Sequence, residues 1–327
     1  MNVLNHNLFL SDINAYIDPL KPVDKAIITH AHSDHARPNH NKVLATEDTI
    51  NIMKIRYGEK AAKSYQRVDY GEKIYENGLT LSLHPAGHIL GSAQILIEKN
   101  GKKTLVTGDF KTVSDNSCQP YEFLKTDTLI TEATFGLPVF KHPKPDSEIK
   151  KLINAVEENN YNSFLVGAYA LGKAQRIIKL LRENNYDKKI YIHGAIEKIS
   201  DYYKTKNIDL GELEKVNKDN KKYTNGHIVI SPPGALRDRW TRGMPNILSC
   251  YASGWMQVKQ RARQRSIEFP LIISDHADWN ELTTNIKNSN AENVLITHGR
   301  EDGLMHWCNI NKIKANALNI KGRIEED

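Results

Sequence analysis

Four side chains that can bind a metal ion are concentrated in one short motif, His30-Ala31-His32-Ser33-Asp34-His35. The motif follows an apolar segment at residues 25–29 that predicts a β-strand. Residues at positions i and i+2 of an extended segment point to the same side, so we expect His30 and His32 to point together. Asp34 and His35 then lie in the turn that follows. Imidazole suits zinc and a neighbouring carboxylate can bind a second ion, so the motif predicts a metal site.

The remaining candidate ligands share one context, because each lies at or just after the end of a predicted apolar strand. They are His88, Asp109, Glu132, His276 and His298. Any one of them alone could simply be a turn residue or a surface group. Together they can converge on one rim of a sheet. Each zinc ion takes about four ligands and a catalytic site keeps one position for water, so two ions about 3.5–4 Å apart explain so many donors. Manganese is an alternative at oxygen-rich positions.

The order of the predicted elements divides the chain into two domains. The first part is rich in strands, with hairpins predicted at Asn77-Gly78 and Asn100-Gly101, because both residues of such a turn need positive φ. Between residues 136 and 267 strands alternate with helices, which is typical of a parallel α/β unit. After residue 267 the pattern of the first part of the chain returns. The sequence therefore predicts an α/β protein with a catalytic domain of residues 1–135 and 268–327 and an inserted domain of residues 136–267.

The composition excludes several classes of protein. The chain has 327 residues, a formal net charge of +6 and three cysteines. The cysteines are far apart and odd in number, which argues against a disulfide framework. No signal peptide or long apolar stretch is present, so we expect a cytoplasmic protein that does not bind membranes. The basic excess fits a polyanionic partner or simply a lysine-rich surface. It leaves the oligomeric state open.

The ordered motifs resemble those of the metallo-β-lactamase superfamily. The series of His30-x-His32-x-Asp34-His35, His88 and Asp109 matches its metal motifs, and the segments Thr131–Gly136, Ser274–Asp278 and Thr297–Gly299 resemble three extra motifs of its β-CASP branch. That branch consists of nucleases with a nucleic-acid-clamping domain inserted where the α/β insert is predicted. The resemblance implies an αββα sandwich with an inserted parallel α/β (β-CASP) domain.

Within the branch, the sequence most resembles the bacterial ligase-associated DNA exonucleases. Tyr16-Ile17-Asp18-Pro19 and the segments 167–175 and 253–256 carry this resemblance. It implies a DNA exonuclease in repair and, by resemblance only, a DNA ligase or helicase as partner. His298 points the other way, because RNA-processing members have this histidine whereas several DNA-acting members lack it. An RNA nuclease and, from another class, an inactive nucleic-acid-binding subunit are the alternatives.

The resemblance also implies a role for each residue of the metal motifs. One zinc ion would be held by His30, His32 and His88, and the other by Asp34, His35 and His298. Asp109 would bridge the two ions, and Asp34 would also orient the attacking hydroxide. The proton-transfer and supporting roles fall to His276 as general acid, Glu132 as the group that holds it, and Asp18 as a residue that orients a ligand.

Three segments of the insert are candidate nucleic-acid contacts. The segment 167–175, with Lys173 and Gln175, reads as a turn before a helix whose free N–H groups can bind a phosphate, or as an ordinary βα turn. The turn from Ser231 to Gly234 has the same two interpretations. A run of cations contains Arg261, Arg263 and Arg265, which predicts contact with a nucleic-acid backbone or a solvated face.

Overall fold

The computed structural model describes Leu4 and residues 7–318, and these residues form two compact units. The first unit contains the described residues up to Ser114, the segment Cys118–Lys141, and the described residues from His276 to Leu318. The second contains Asp115–Ser117 and His142–Asp275. The insert is therefore displaced by several residues from the predicted boundaries of 136 and 267.

Long-range contacts account for this shift at both ends. At the start, the ring of Phe140 lies 5.2 Å from that of Phe135, and its carbonyl accepts a hydrogen bond of 2.9 Å from the N–H of Trp279. These contacts keep the start of the predicted insert in the first unit. At the end, Phe269–Leu271 forms a strand that pairs with Ile247–Ala252 and so extends the sheet of the second unit. The boundary prediction is corrected accordingly.

Two β-sheets form the centre of the first unit. The five-stranded sheet consists, in spatial order, of β1 (Phe9–Leu10), β2 (Ala15–Ile17), β3 (Lys25–Ile27), β4 (His40–Ala45) and β5 (Ala62–Arg67). The seven-stranded sheet contains β6 (Lys73–Glu76), β7 (Leu79–Pro85), β8 (Ala93–Lys99), β9 (Lys102–Val106), β10 (Thr128–Ala133), β17 (Asn293–Gly299) and β18 (Ala315–Ala317). Its spatial order is β18-β17-β10-β9-β8-β7-β6. Apolar residues of both sheets, such as Ile27, Leu44, Leu83 and Ile95, form one buried core.

Helices cover the outer faces of the two sheets. Helix α1 (Glu47–Tyr57) contacts β4 and β5 and buries Ile52. Helices α6 (Trp279–Ser289) and α7 (Glu301–Ile310) pack on the seven-stranded sheet, where Leu282 and Leu304 share a second core with Leu129. This α/β arrangement of four layers confirms the predicted fold class. The predicted hairpins are also present, as β6–β7 and β8–β9, and Asn77 and Asn100 have φ values of 49° and 51°.

The second unit is a parallel α/β layer structure. Its strands are β11 (Ser163–Gly167), β12 (Ile190–Ile192), β13 (Leu213–Lys215), β14 (Ile228–Ser231), β15 (Ile247–Ala252) and β16 (Phe269–Leu271). They lie in the order β13-β12-β14-β11-β15-β16, and every pair is parallel. Its helices are α2 (Pro145–Glu158), α3 (Lys173–Glu183), α4 (Gly194–Thr205) and α5 (Lys259–Gln264). Within the described residues, no helix has the length and apolar character that crossing a membrane requires.

Candidate metal centre

The histidine motif lies in the loop between β3 and β4. The carbonyl of His32 accepts hydrogen bonds from the N–H groups of His35 and Ala36, at 3.2 and 2.7 Å, and these bonds close a tight turn. The turn directs His35 back toward His30, so that their ring centroids lie 4.1 Å apart. Both imidazoles are fully or almost fully buried. The sequence motif therefore becomes a compact cluster of buried imidazoles and a carboxylate.

Two glycines allow the neighbouring loops to approach this cluster. Gly87, with a φ of 70°, precedes His88, and a Cβ atom on it would lie 2.1 Å from the carbonyl oxygen of Lys111. Gly108, with a φ of 56°, precedes Asp109, and its Cβ would lie 2.8 Å from that of Thr29. Neither the left-handed backbone nor the space admits a side chain. These positions therefore require glycine for the approach of His88 and Asp109.

Asp109 lies at the centre of the cluster. Its Oδ2 atom is 3.4 Å from Nε2 of His30, 3.2 Å from Nε2 of His35 and 3.9 Å from Nε2 of His88. Donor atoms of His30, His32, His88 and Asp109 all lie within 4.8 Å of one another. One carboxylate oxygen thus approaches imidazoles that belong to both predicted ligand sets.

The second predicted ligand set lies on the other side of Asp109. Donor atoms of His30, Asp34 and His35 lie within 4.8 Å of one another, and Asp34 Oδ2 is 3.3 Å from Nε2 of His35. His298 is the second-last residue of β17 and has a φ of 57°, and its ring stacks on that of His35 at a centroid distance of 5.4 Å. The structure therefore gathers six of the predicted ligands, His30, His32, Asp34, His35, His88 and Asp109, into overlapping groups of donor atoms, and His298 lies beside them against His35.

The charge states in the cluster suit a metal ion. Burial, together with the charge of His35, lowers the pKa of His30 well below its ordinary value, so this imidazole stays neutral. Burial alone would raise the pKa of Asp109, but His35 holds it well below its ordinary value. The Nε2 atom of His30 is also buried, and no residue that the structure describes forms a hydrogen bond with it. Neutral imidazoles and ionised carboxylates are zinc ligands, so the residues fit the implied metal.

Asp18 supports the cluster from behind. Its Oδ2 atom lies 2.8 Å from Nδ1 of His35. Asp18 Oδ1 accepts a hydrogen bond of 2.8 Å from the N–H of Thr29, and Oδ2 accepts one of 2.6 Å from the Thr29 hydroxyl. A carboxylate bound to one ring nitrogen fixes the orientation of the imidazole and directs the other nitrogen forward. The contact fits the orienting role that the sequence predicted.

His276 and Glu132 form a pair beside the cluster. Nδ1 of His276 lies 3.1 Å from Oε2 of Glu132, while Glu132 Oε1 accepts a hydrogen bond of 2.8 Å from the N–H of Phe110. The His276 ring is 4.7 Å from that of His88, and its side chain is 13% exposed. Burial raises the pKa of Glu132, although His276 opposes the shift. A partly exposed imidazole oriented by a carboxylate can transfer a proton.

Two of the predicted nucleic-acid contacts, Lys173 and Gln175, are buried. The Lys173 ammonium lies 3.1 Å from the Asp275 carboxylate, and both side chains are almost fully buried. The Gln175 amide accepts a hydrogen bond of 2.8 Å from the N–H of Gly172 and donates one of 3.0 Å to the Ser200 hydroxyl. These side chains hold a turn and two helices together. The prediction that they contact nucleic acid is therefore corrected.

Ser231 is also fully buried, because it ends β14 in register with Gly167 in the middle of the sheet. Its side chain does not face solvent, so this predicted contact is corrected as well. Gly234 is different, since it lies exposed in the 3₁₀ turn Pro233–Arg237 with open space beside its Cα. The backbone of this turn is the part of the predicted contact that solvent reaches.

The predicted arginine run forms α5 and the residue after it. Arg261 stacks on the ring of Trp255 at 3.9 Å, and Arg265 lies 5.1 Å from the centre of the Tyr251 ring. Arg263 is exposed. Cations held over aromatic rings keep their charge accessible while the side chain is ordered. The run therefore contains ordered positive charge at the surface of the second unit.

Three exposed arginines that the motifs did not single out flank a tryptophan. Arg237, Arg239 and Arg242 lie on either side of Trp240 in the sequence, and Nζ of Lys221 lies 5.9 Å from the centre of the Trp240 ring. The signal for this patch is the alternation of arginines with an aromatic residue between positions 237 and 242, which is typical of nucleic-acid-binding surfaces.

The chain is similar in sequence to known proteins. No family model matches the chain. It is 27% identical over 317 residues to a probable DNA ligase from Opitutus terrae, covering 93% of this chain and 30% of that protein. It is 31% identical over 206 residues to an RNase J-like protein from Methanocaldococcus jannaschii, covering 54% of this chain and 48% of that protein. The chain thus spans less than half the length of either relative.

A solved structure has a similar fold over most of the chain. A protein of unknown function from Enterococcus faecalis superposes with a TM-score of 0.54 at 14% sequence identity. The match covers 92% of this chain and 80% of that chain.

Proposed function

We propose that this chain, which belongs to the β-CASP branch of the metallo-β-lactamase superfamily, is a zinc-dependent nuclease that degrades DNA from an end. One observation carries the proposal. A single oxygen of Asp109 lies within 4 Å of imidazoles from both ligand sets, beside a histidine–glutamate pair that can transfer a proton. A two-metal centre combined with a general acid is suited to phosphodiester hydrolysis.

The predicted ligands would hold two zinc ions. The first would be held by His30, His32 and His88, the second by Asp34, His35 and His298, and Asp109 would be shared. Zinc, when bound, lowers the pKa of water and stabilises the negative charge of an attacked phosphoryl group. Asp18 keeps Nδ1 of His35 engaged, so that only Nε2 of this ligand faces the centre.

The protein's own residues would supply the proton transfer. Glu132 binds Nδ1 of His276 and stabilises the protonated ring, which leaves the Nε2–H group to give its proton to the departing oxygen. The N–H of Phe110 holds the other oxygen of Glu132, so the carboxylate cannot rotate freely. Asp34 would accept a hydrogen bond from the attacking water and orient it toward phosphorus.

The choice of DNA rests on the extent of one similarity and on short motifs. The match to the probable DNA ligase covers 93% of this chain, and Tyr16-Ile17-Asp18-Pro19 resembles ligase-associated exonucleases. A DNA ligase or a helicase is the partner that this resemblance implies, and DNA repair is the corresponding process. An inactive binding subunit fits poorly, because such members lose metal ligands, whereas this chain has a ligand-type residue at every predicted position.

RNA is the second candidate substrate, and two observations favour it. The RNase J-like relative has the higher identity of the two reported, at 31%, and His298 is present and stacked on His35. A nuclease acting on RNA would use the same metal centre and the same proton donor.

Matched substrates separate these candidates. Zinc-loaded protein is incubated with end-labelled single-stranded DNA, duplex DNA and RNA of the same sequence, and the products from each end are resolved. We expect progressive shortening of DNA from one end and slower cleavage of RNA. Preferential cleavage of RNA would favour the second candidate. No cleavage of any substrate by protein that carries two zinc ions would contradict the proposed function.

A further inference from the structure

Glu281 is a buried carboxylate in the first turn of α6 that the proposed chemistry does not use. Its side chain is 9% exposed. Its Oε2 atom accepts a hydrogen bond of 3.0 Å from the N–H of Asp278, and Asp278 Oδ1 accepts one of 2.9 Å from the N–H of Glu281. This reciprocal pair is a capping box, which begins the helix. A capping box occupies only one of the two carboxylate oxygens.

The other oxygen of Glu281 binds the loop that follows Asp109. Its Oε1 atom accepts hydrogen bonds from the N–H and the hydroxyl group of Thr112, both at 2.8 Å, and from the N–H of Val113 at 3.0 Å. The Lys111 ammonium donates to Oε2, and both of these side chains are buried. Glu281 therefore joins this loop to the start of α6.

The two segments that Glu281 joins carry Asp109 and His276. Glu132 connects the same two segments, since it accepts a hydrogen bond from the N–H of Phe110 at 2.8 Å and pairs with His276 at 3.1 Å. Two buried carboxylates thus link the same pair of segments at successive points along the chain. Glu132 contacts His276, the predicted proton donor. Glu281 holds the backbone at the start of α6, just after His276.

We propose that Glu281 is a positioning residue that holds His276 in the place, relative to Asp109, that proton transfer to the leaving oxygen requires. The inference rests on the proposed nuclease function, because it takes His276 as the general acid. A displacement of about 1 Å in such a group costs on the order of 10²-fold in rate. Because protein donors surround the Glu281 carboxylate, its loss affects kcat rather than substrate affinity.

The test compares two substrates with Glu281→Gln. An oligonucleotide has an alkoxide leaving group that needs a proton, whereas the p-nitrophenyl ester of thymidine 5′-phosphate releases a phenolate that does not. We expect kcat on the oligonucleotide to fall on the order of 10²-fold. The KM and the rate on the p-nitrophenyl ester remain close to wild type. An equal loss on both substrates, or no loss on either, overturns the inference.

A double variant separates positioning from simple charge balance. Lys111→Met with Glu281→Gln removes both buried charges, so the melting temperature should recover if the single variant is destabilised by an unpaired lysine. The N–H groups of Thr112, Val113 and Asp278 still lack their carboxylate. We therefore expect kcat on the oligonucleotide to stay low. Recovery of both melting temperature and kcat means that Glu281 only balances Lys111 and overturns the inference.

Asp127→Asn is the matched control. The Asp127 carboxylate also binds a lysine, with Nζ of Lys102 at 2.8 Å, and a backbone N–H, that of Lys103 at 2.7 Å. It lies just before β10, at the opposite end of this strand from Glu132. We expect its ratio of rates on the two substrates to equal that of wild type. A wild type that cleaves no nucleic acid would contradict the proposed function, whereas an active wild type with an unchanged ratio in Glu281→Gln would contradict only this inference.

Discussion

Buried charge is arranged differently around Asp109 in the first unit and around Asp115 in the second. In the first, Asp109 Oδ2 lies 3.4 and 3.2 Å from imidazole nitrogens of His30 and His35, and further ligand-type groups gather around the same point. In the second, Arg176 and Asp115 form a buried pair at 2.5 Å. In a cluster of neutral imidazoles and carboxylates, the lone pairs can bind a cation. In an ion pair, a side chain already supplies the positive charge. The comparison separates a candidate ligand site from charges that stabilise the fold.

The largest effect is expected from Asp109→Asn, which removes the central carboxylate of the candidate metal centre. The amide cannot bridge two cations as a carboxylate does, so we expect zinc occupancy to fall below two ions per chain. Nuclease activity should fall by more than the roughly 10²–10⁴-fold that a single general acid contributes. Elemental analysis of the purified variant and a nuclease assay measure both. Full occupancy would remove Asp109 from the bridging role.

The corresponding change in the second unit is Asp115→Asn, which removes the buried negative charge that pairs with Arg176. We expect a loss of about 3–5 kcal/mol in the free energy of unfolding, measured by denaturant titration. Zinc content of the folded protein should not change. Glu197→Gln is the control, because Glu197 pairs with the exposed Lys215 at 2.8 Å and should cost about 1 kcal/mol or less. Zinc loss in Asp115→Asn would show that the two kinds of buried charge are not separate.

The smallest expected effect concerns surface charge in the second unit. Replacement of Arg261, Arg263 and Arg265 by alanine should weaken binding of single-stranded DNA and flatten its salt dependence by about 0.7 per lost phosphate contact. Fluorescence anisotropy across a salt series measures the slope. Zinc content and the rate on a p-nitrophenyl phosphodiester should not change. An unchanged slope would exclude these arginines from the binding surface.

The candidate metal centre was predictable because its signals are local. Strand-end placement of His88, Asp109 and His298 follows from short apolar runs and glycine-containing turns, and Asn77-Gly78 and Asn100-Gly101 marked the hairpins through their φ requirement. Such signals lie within a few residues of the group that they position. The sequence therefore located the residues of the cluster, and the structure supplied their distances.

Features that depend on distant partners were not predictable. Lys173 lies in a turn typical of phosphate contact, but its ammonium is buried against Asp275, a residue far along the chain. The insert extends to Asp275 because β16 pairs with β15, and no local sequence pattern predicts this pairing. Glu281 is an ordinary capping residue in sequence, and only the structure shows that its second oxygen binds the loop after Asp109.

The most direct test of the proposed chemistry is the zinc content and nuclease rate of His276→Ala, measured on the same preparation. The imidazole contacts the ring of His88 and pairs with Glu132 but is not one of the predicted ligands, so its loss should leave zinc near two ions per chain. Cleavage of the oligonucleotide should fall about 10²–10⁴-fold. Loss of zinc together with the folded state, or full activity with zinc bound, would contradict the assignment of His276 as the proton donor of a two-zinc nuclease.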